Sequence, residues 1–490
     1  MELRDSTKTA WLAGFVLASA SILSAQFQGI TTAYGKEQCF VLNRFGADSG
    51  AHYRSKDDDK EKALCGIAFD AEQVGLCPKT WSTSPGTEIY DISNSQYKQK
   101  ASVFEADYCP KQRALKGKVE GVDKLATYKQ SVNGQFKQST SATFSQASPL
   151  YYHFSRYLGM TVDVPVAVIR TMDAQVHLHR VASKGPAMAQ GKMILAGWNV
   201  VNSAEKNPSG YVPVNELYYG DPRNGLLYGT MLKGSGARYG PEFNGNISGK
   251  GYSQEYVFMQ QTPAFLAIAA QKPFVDAVTL GITLSKKDLV IAKALGASVS
   301  NEQMMFWMQE LSEIFILDYI FNQQDRPGNI DYVWEWYYVT DGGEVKFVRA
   351  SSEAGRSSMI SISMPDEVKN SPRHYLIQKT QLNDNDAGGR RYANFTKQYA
   401  LLGKVRHLNP ATYHQLVRLA ADFQAKGPLY NYLQNTFYLS PAYLVTIAQN
   451  TVEASEILQR TCKAGLIKFD LNSEAYLATQ TAEEPQVNCE

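Results

Sequence analysis

The segment over residues 318–330 constrains the fold more than any other part of this chain. It follows an apolar run with helical spacing over residues 303–321 and precedes a run over residues 332–339 that is rich in aromatic and β-branched residues. This pattern predicts a buried helix, a polar loop that contains Pro327 and Gly328, and then a strand. Catalytic groups are commonly presented on loops of this kind, held between two rigid elements.

The segment carries two aspartates, two asparagines and an arginine at short intervals, namely Asp318, Asn322, Asp325, Arg326 and Asn329. Asp318 and Asn322 are one helical turn apart, so the spacing predicts that they lie on one face of the helix end. The string Asp-Arg-Pro-Gly-Asn alone is also typical of a capped surface turn. The residues by themselves therefore leave open both a catalytic loop and an ordinary turn.

The full spacing resembles the catalytic loop of atypical kinases: phosphatidylinositol 3- and 4-kinases, HipA-type kinases and secretory-pathway kinases of the four-jointed type. This chain has Pro327 where those families have a His. The resemblance implies that Asp325 orients or deprotonates the attacking hydroxyl and that Asn329 is a ligand of Mg²⁺ or Mn²⁺ bound with ATP. Asp318, Asn322 and Arg326 would then support the loop.

Earlier segments extend the resemblance over about residues 87–360. The run over residues 124–129 resembles the strand whose lysine contacts the nucleotide phosphates, which makes Lys129 the candidate nucleotide-binding residue. A helix over 148–159 and a strand over 162–170 resemble the segment that follows that strand in those families. The resemblance also implies that a turn over 93–96 covers the phosphates and that a strand over 226–232 lines the adenine pocket.

The chain departs from the family pattern at two places. The matching helix normally begins with a Glu that pairs with the lysine, but residues 146–148 offer no carboxylate. The families also place a metal-binding Asp on the strand after the loop. In this chain the residues that follow the hairpin over 332–348 contain no Asp. Glu353 is therefore the candidate second metal ligand. Magnesium sites of this type use one or two carboxylates together with the phosphates, so the departures leave open a catalytically inactive pseudokinase.

The N-terminal segment resembles an export signal. Arg4 and Lys8 precede a weakly apolar run over residues 10–22, which predicts a signal peptide over residues 1–25. A retained membrane anchor is the alternative, but the apolar run is shorter than the roughly 20 residues that a spanning helix needs. No later stretch is long and apolar enough, so we expect no membrane span after cleavage. The expected location is periplasmic or secreted, or the lumen of the secretory pathway in a eukaryote.

Six cysteines follow this segment, which predicts three disulfides formed in an oxidising compartment. The first four are close in sequence and are expected to pair among themselves, while the last two would tie down the tail. A zinc site is the alternative, but the chain has no close CxxC or HxxxH spacing. The six residues are Cys39, Cys65, Cys77, Cys109, Cys462 and Cys489.

The resemblance implies a two-lobed α+β protein with a protein-kinase-like fold, in which a small β-rich N-lobe is followed by a larger helical C-lobe. The predicted units are a signal peptide (1–25), a disulfide-rich extension (26–86), the N-lobe (87–235), the C-lobe with the catalytic loop (236–472) and a loose tail (473–490). Locally, we expect a solvated loop over 56–62, a strand over 99–106, a hinge with surface loops over 180–262 and only helices after residue 372.

Charge and motifs narrow the functional classes. The chain has 49 Lys and Arg against 47 Asp and Glu, a balance that argues against nucleic acid as a partner. No GxSxG or HExxH motif is present, which argues against a hydrolase. The function implied by the resemblance is phosphate transfer from ATP to a hydroxyl of a protein or small-molecule target. The alternatives are a pseudokinase that binds or activates an exported partner, and an unrelated secreted interaction protein.

Overall fold

The computed structural model describes residues 27–31, 37–42, 45, 51–98, 100–115, 119–132, 143–211, 214–234, 237–238, 252–287, 299–327, 329–350, 362–388, 394–437 and 439–490. The predicted signal peptide and Glu353 lie outside these residues.

The strands are β1 (Phe27–Thr31), β2 (Gln38–Leu42), β3 (Val74–Pro78), β4 (Gly86–Asp91), β5 (Asp123–Gln130), β6 (Ala167–Asp173), β7 (Leu226–Leu232), β8 (Ala237–Arg238), β9 (Ile330–Val339), β10 (Val345–Arg349) and β11 (Arg373–Leu382). The helices are α1 (Asp57–Cys65), α2 (Ala101–Tyr108), α3 (Gln112–Leu115), α4 (Ala147–Tyr157), α5 (Ala174–His177), α6 (Gly185–Met188), α7 (Lys192–Lys206), α8 (Tyr252–Met259), α9 (Pro263–Ile268), α10 (Phe274–Ser285), α11 (Asn301–Ile320), α12 (Asp366–Lys369), α13 (Phe395–Gln398), α14 (Pro410–Gln424), α15 (Pro428–Thr436), α16 (Pro441–Lys463) and α17 (Ser473–Thr479).

One lobe is built on a seven-stranded sheet in the order β1-β2-β6-β7-β5-β4-β3. Strands β3, β4 and β5 form an antiparallel meander, and β7 pairs with both β5 and β6. Helix α4 packs beside this sheet and is buried along its whole length. Strands β1–β3 belong to the same sheet as β5–β7, so the boundary predicted at residue 86 does not separate an extension from the lobe.

The second lobe is organised around α11, which is buried from Gln303 to Ile320. The Ser300 Oγ atom accepts a hydrogen bond from the Gln303 N–H at 3.1 Å, which caps the N-terminus of the helix. A smaller sheet, in which β9 pairs with β8, β10 and β11, packs against one side of α11. Helices α9, α10 and α16 contact other parts of it. The predicted α+β architecture with a sheet lobe and a helical lobe is confirmed.

Three disulfides are present: Cys39–Cys65, Cys77–Cys109 and Cys462–Cys489. The predicted disulfide bonding is therefore confirmed, and the first four cysteines pair among themselves. In the part of the chain that is described, no helix combines the length and apolarity needed to cross a bilayer.

Several local predictions were wrong because tertiary contacts override short sequence patterns. Residues 56–62 lie mostly in helix α1 rather than in a solvated loop, since Asp57 is buried against Arg156. Helix α2 replaces the strand predicted over 99–106, because its Phe104 ring packs under Gly75 of β3. Helix α7 lies within the predicted surface loops, a ten-residue strand, β11, follows residue 372, and the predicted loose tail begins with α17.

Candidate active site

The loop after α11 is held at its first residue by two asparagine side chains. Asn322 adopts the left-handed backbone conformation with φ of 53°, which ends the helix. Its Oδ1 atom accepts hydrogen bonds from the Nδ2 atoms of Asn394 at 2.8 Å and Asn450 at 3.0 Å. The same two amides also donate to the carbonyls of Tyr319 and Ile320. These bonds satisfy carbonyls that a helix end leaves without partners, and they fix where the loop begins.

Arg326 connects this loop to the segment that follows β11. Its guanidinium donates two parallel hydrogen bonds to Asp318, both at 2.9 Å, and the pair is buried. The remaining donors reach the Asn383 carbonyl at 3.1 Å and the Asn385 Oδ1 atom at 3.0 Å. Tyr151 of α4 donates to the same Asp318 carboxylate at 2.8 Å. The bidentate ion pair and these further hydrogen bonds hold the loop after α11 and the segment after β11 in a fixed relative position.

The segment after β11 carries two carboxylates that meet Lys129 of the sheet lobe. Lys129 Nζ lies 3.0 Å from Asp384 Oδ1 and 2.5 Å from Asp386 Oδ1, and the lysine side chain is buried. Burial alone would lower the pKa of Lys129, but Asp386 and Asp384 outweigh that effect and hold it above its ordinary value. The lysine is therefore charged, and it joins the two lobes at this point.

The main chain around Asp384 and Asp386 packs closely against the end of α11 and the start of the α4 segment. Asp384 has φ of 51°, a left-handed conformation that Asp tolerates better than most residues. A Cβ atom on Gly388 would lie 3.0 Å from the Phe321 carbonyl, so any other residue there would force the end of α11 to shift by a few tenths of an ångström. Phe144, at the start of the α4 segment, donates its N–H to the Asp386 carbonyl at 2.8 Å. The two carboxylates are thus fixed relative to both lobes.

Asp325 and Asn329 lie on the same loop and are linked to each other. The Asn329 Nδ2 atom donates to the Asp325 carbonyl at 2.7 Å, and the Asp325 N–H donates to Gln323 Oε1 at 3.0 Å. Because the Asn329 amide nitrogen is used in this bond, its oxygen is the atom left to coordinate a cation. The Asp325 side chain is half-buried and that of Asn329 is buried.

Asp384 and Asp386 are the residues that the sequence interpretation missed. We expected the second metal-binding carboxylate directly after the hairpin formed by β9 and β10. The other strand that pairs with β9 is β11, which comes later in the chain and pairs with all ten residues of β9. The strand-ending sequence Asn-Asp-Asn-Asp-Ala-Gly over residues 383–388 was the available signal.

The start of α4 provides no carboxylate for Lys129, as predicted. Gln146 instead accepts a hydrogen bond from the Ser131 hydroxyl at 3.0 Å. Among the described residues, the ion pairs of Lys129 are those with Asp384 and Asp386.

The turn predicted to cover the phosphates lies at the wrong end of the sheet. In the β4–β5 pairing, Gly86 is opposite Lys129 and Asp91 is opposite Asp123. The turn over 93–96 therefore follows the end of β4 that is remote from Lys129. The turn that approaches the lysine is the one between β3 and β4, residues 79–85.

The arrangement fits a divalent cation that is shared with phosphate oxygens. Within the described ranges, no three His, Cys, Asp or Glu side chains cluster as a complete metal site. Mg²⁺ bound with a nucleotide needs only one or two protein oxygens, because water and phosphates supply the rest. Asp384, Asp386 and the Asn329 amide oxygen are the groups here that could provide them, with Lys129 as the cation for the phosphates.

No protein-family model and no curated protein sequence matches this chain. Among solved structures, a crystal structure of the Golgi casein kinase with Mn and ADP bound is similar over 84% of this chain and 77% of its own, with 10% identity and a TM-score of 0.40. A second crystal structure of the Golgi casein kinase is similar over 85% and 79% of the two chains, with 12% identity and a TM-score of 0.39.

Proposed function

We propose that this protein is an exported, atypical kinase-like protein that transfers a phosphoryl group from ATP to a hydroxyl of a protein or other exported target. One observation carries the proposal: Lys129 of the sheet lobe is ion-paired with Asp384 and Asp386, which Arg326 connects to the loop holding Asp325 and Asn329. A lysine, two carboxylates and an Asp-Asn loop at one junction between two lobes are the groups that phosphoryl transfer requires.

The roles follow from the chemistry of each group. Lys129 would bind the α- and β-phosphates, while Asp384, Asp386 and Asn329 would hold Mg²⁺ or Mn²⁺. The metal ion would neutralise charge on the phosphate oxygens. Asp325 would orient the acceptor hydroxyl and take its proton as the new O–P bond forms and the bond between the β–γ bridging oxygen and the γ-phosphorus breaks, which releases ADP.

The export component rests on the cysteines and on the N-terminal sequence. All six cysteines are paired, which is typical of an oxidising compartment such as a periplasm, a secretory-pathway lumen or the extracellular space. The partners would be a nucleotide and a protein or small-molecule phosphoacceptor, with no nucleic acid.

A pseudokinase is the second candidate, and a specific observation favours it. The first turn of α4 has no carboxylate to hold Lys129, and the lysine instead contacts both aspartates that would bind the metal. In that case the protein would bind or activate an exported partner without transferring phosphate. Asp384 and Asp386 support the active kinase over this alternative, because either carboxylate is a candidate for the second metal ligand that the sequence interpretation did not find.

The proposal is tested with three variants, assayed for nucleotide-dependent thermal stabilisation and for phosphate transfer from labelled ATP. We expect Asp325→Ala to lower transfer at least about a hundredfold while the thermal shift with MgATP is kept, since general-base residues contribute about 10² to 10⁴ in rate. Lys129→Met should lose the shift as well. Asp276→Ala, an exposed carboxylate in the first turn of α10, serves as the control and should change neither property.

The outcomes separate the candidates. A parent protein that shows the shift but transfers no phosphate to itself or to candidate targets, with Mg²⁺ or Mn²⁺, would support the pseudokinase. No shift with any nucleotide would contradict both and leave an unrelated interaction protein.

A further inference from the structure

A second lysine stands at the edge of the same site, at the start of the turn between β3 and β4. Lys79 directly follows β3, and its N–H donates to the Gly86 carbonyl at 2.8 Å. Because β3 and β4 pair at Pro78 opposite Thr87, this bond continues the antiparallel ladder by one residue. Lys79 is thereby opposite Gly86, and Gly86 is opposite Lys129.

Residues opposite each other in an antiparallel ladder have their side chains on the same face. Lys79 and Lys129 therefore project from one face of the sheet, with Gly86 between them. Adjacent strands are about 4.8 Å apart, so the two lysines flank a gap of about 10 Å whose floor has no side chain. A side chain at position 86 would occupy this gap.

Lys79 has no counter-ion within the described ranges of the chain. Its side chain is half-buried, and among the described residues its Nζ atom makes neither a hydrogen bond nor an ion pair. Burial lowers its pKa, and the nearby Lys129 lowers it further, whereas Asp384 acts in the opposite direction. A cation in this position without a partner favours an anionic ligand.

The turn that carries Lys79 is held in place by α7. The indole Nε1 atom of Trp198 donates to the Lys79 carbonyl at 3.2 Å, and the Gln190 N–H donates to the Thr80 carbonyl at 3.2 Å. Gly197 of α7 lies under Pro85, where a Cβ atom would come within 2.9 Å of the proline ring. The main chain of Lys79 is thus preorganised rather than dependent on the ligand for its position.

We propose that Lys79 is a second phosphate-binding cation, and that the phosphate chain of a nucleoside di- or triphosphate lies over Gly86 between Lys79 and Lys129. This inference rests on the proposed function and adds to it a specificity for polyphosphates over monophosphates. The chain replaces a glycine-rich phosphate loop by a short hairpin turn with a lysine at its base.

The test compares Lys79→Met, Lys79→Arg and Lys62→Met by calorimetric titration with ADP, AMP, adenosine and inorganic pyrophosphate, each with and without Mg²⁺. Lys62 is an exposed lysine of α1, so its exchange removes the same charge away from the site. We expect Lys79→Met to weaken ADP and pyrophosphate about tenfold or more, because it removes a charged hydrogen bond, and to leave adenosine unchanged. Lys79→Arg should retain most of the affinity, and Lys62→Met all of it.

Ligand-free unfolding temperatures establish that each variant is folded. If Lys79→Met binds ADP and pyrophosphate as the parent does while Lys129→Met does not, the role of Lys79 is wrong and the proposed function stands. If the parent binds no ADP, the proposed function fails and this inference fails with it. Equal weakening of ADP and adenosine would also overturn the proposal, because it would indicate a general change in the cleft.

Discussion

Buried charged side chains, each with specific partners, fix the geometry of the site at the scale of single residues. The single side chain of Arg326 donates hydrogen bonds to the Asp318 carboxylate, the Asn383 carbonyl and the Asn385 side chain. Removing one member of such a buried pair leaves the other charge without compensation, which costs far more than the pair contributes to stability.

Glu313 of α11 is a buried carboxylate whose ionisation opposes folding. It accepts the Val162 N–H at 2.8 Å and the Gln309 amide at 2.9 Å, but burial dominates and raises its pKa to about 7. The native state therefore keeps this proton up to about pH 7, whereas the unfolded chain releases it near 4.5. Between these values the unfolded state binds fewer protons, so the free energy of unfolding falls as pH rises.

We expect Glu313→Gln to become more stable relative to the parent as pH rises from 5 to 8, by at most about 3 kcal/mol. Urea unfolding at several pH values measures this difference. Glu302→Gln, in the first turn of the same helix, is the control, because that carboxylate is not enclosed. A stability difference between Glu313→Gln and the parent that does not vary with pH would contradict the assignment.

Sequence reasoning selected candidate residues whose neighbours in the chain carry the signal, and it passed over candidates defined by distant pairing. Asp325 and Asn329 were chosen from a loop between a predicted helix and strand, and Lys129 from a short strand. Asp384 and Asp386 were passed over because their relation to the loop depends on the pairing of β11 with β9, two strands that are not consecutive in the chain. Nothing local in residues 349–372 indicates that the partner strand comes later.

At the scale of elements, the N-terminal segment takes over the positioning of α4. Arg156 of α4 is ion-paired with the buried Asp57 of α1, with the Nε atom 2.8 Å from Oδ2. Tyr152 donates to Glu61 at 2.8 Å on the same side of the helix. The disulfide Cys39–Cys65 ties the end of α1 to β2. These contacts, none of which involves Lys129, hold α4 against the N-terminal segment.

Two disulfides of nearly equal span allow a matched test of this idea. Cys39–Cys65 and Cys462–Cys489 are separated by 26 and 27 residues, so the chain-entropy model predicts the same loss of about 3.5 kcal/mol for each pair exchanged to Ala. We expect the nucleotide-induced thermal shift to shrink only in Cys39→Ala/Cys65→Ala, because that variant alone loosens α1 against α4. Both variants are measured by urea unfolding and thermal shift, and an equal change in the shift would contradict the role assigned to α1.

Elements were predicted well where a single periodic pattern runs for many residues, and poorly where a short segment is fixed by another. The predicted helix over 303–321 and the strand over 226–232 correspond to α11 and β7. Helix α2 was read as a strand, although its buried residues Ala101, Phe104 and Tyr108 follow helical spacing. Eight residues contain too few turns for that spacing to be distinguished from alternation.

For the whole molecule, the two lobes are joined by a charged cluster as well as by Lys129. Asp163, between α4 and β6, pairs in the main chain with β11, donating to Thr380 and accepting from Leu382. Its carboxylate contacts Arg54 of the N-terminal segment at 2.8 Å and Arg349 of β10 at 2.9 Å. One buried side chain thus connects the N-terminal segment, the sheet lobe and the helical lobe. The two-lobed arrangement was expected from the resemblance to atypical kinases, but this junction was not.

Asp163→Asn is expected to lower the free energy of unfolding by about 3 kcal/mol at neutral pH, because Arg54 and Arg349 lose their shared counter-ion. Burial would raise the pKa of Asp163, but Arg54 and Arg349 outweigh it and hold the pKa well below its ordinary range. A depressed native pKa stabilises the fold above the unfolded value near 4, and that contribution is lost as pH falls further. The difference in unfolding free energy between parent and variant, followed by urea unfolding, should therefore shrink below about pH 4.

Arg349→Gln is the control for Asp163→Asn. Because 41% of the Arg349 side chain is exposed, this exchange should cost about 1 kcal/mol or less. Equal losses in both variants, or a difference that grows in acid, would show that Asp163 does not join the lobes through its charge.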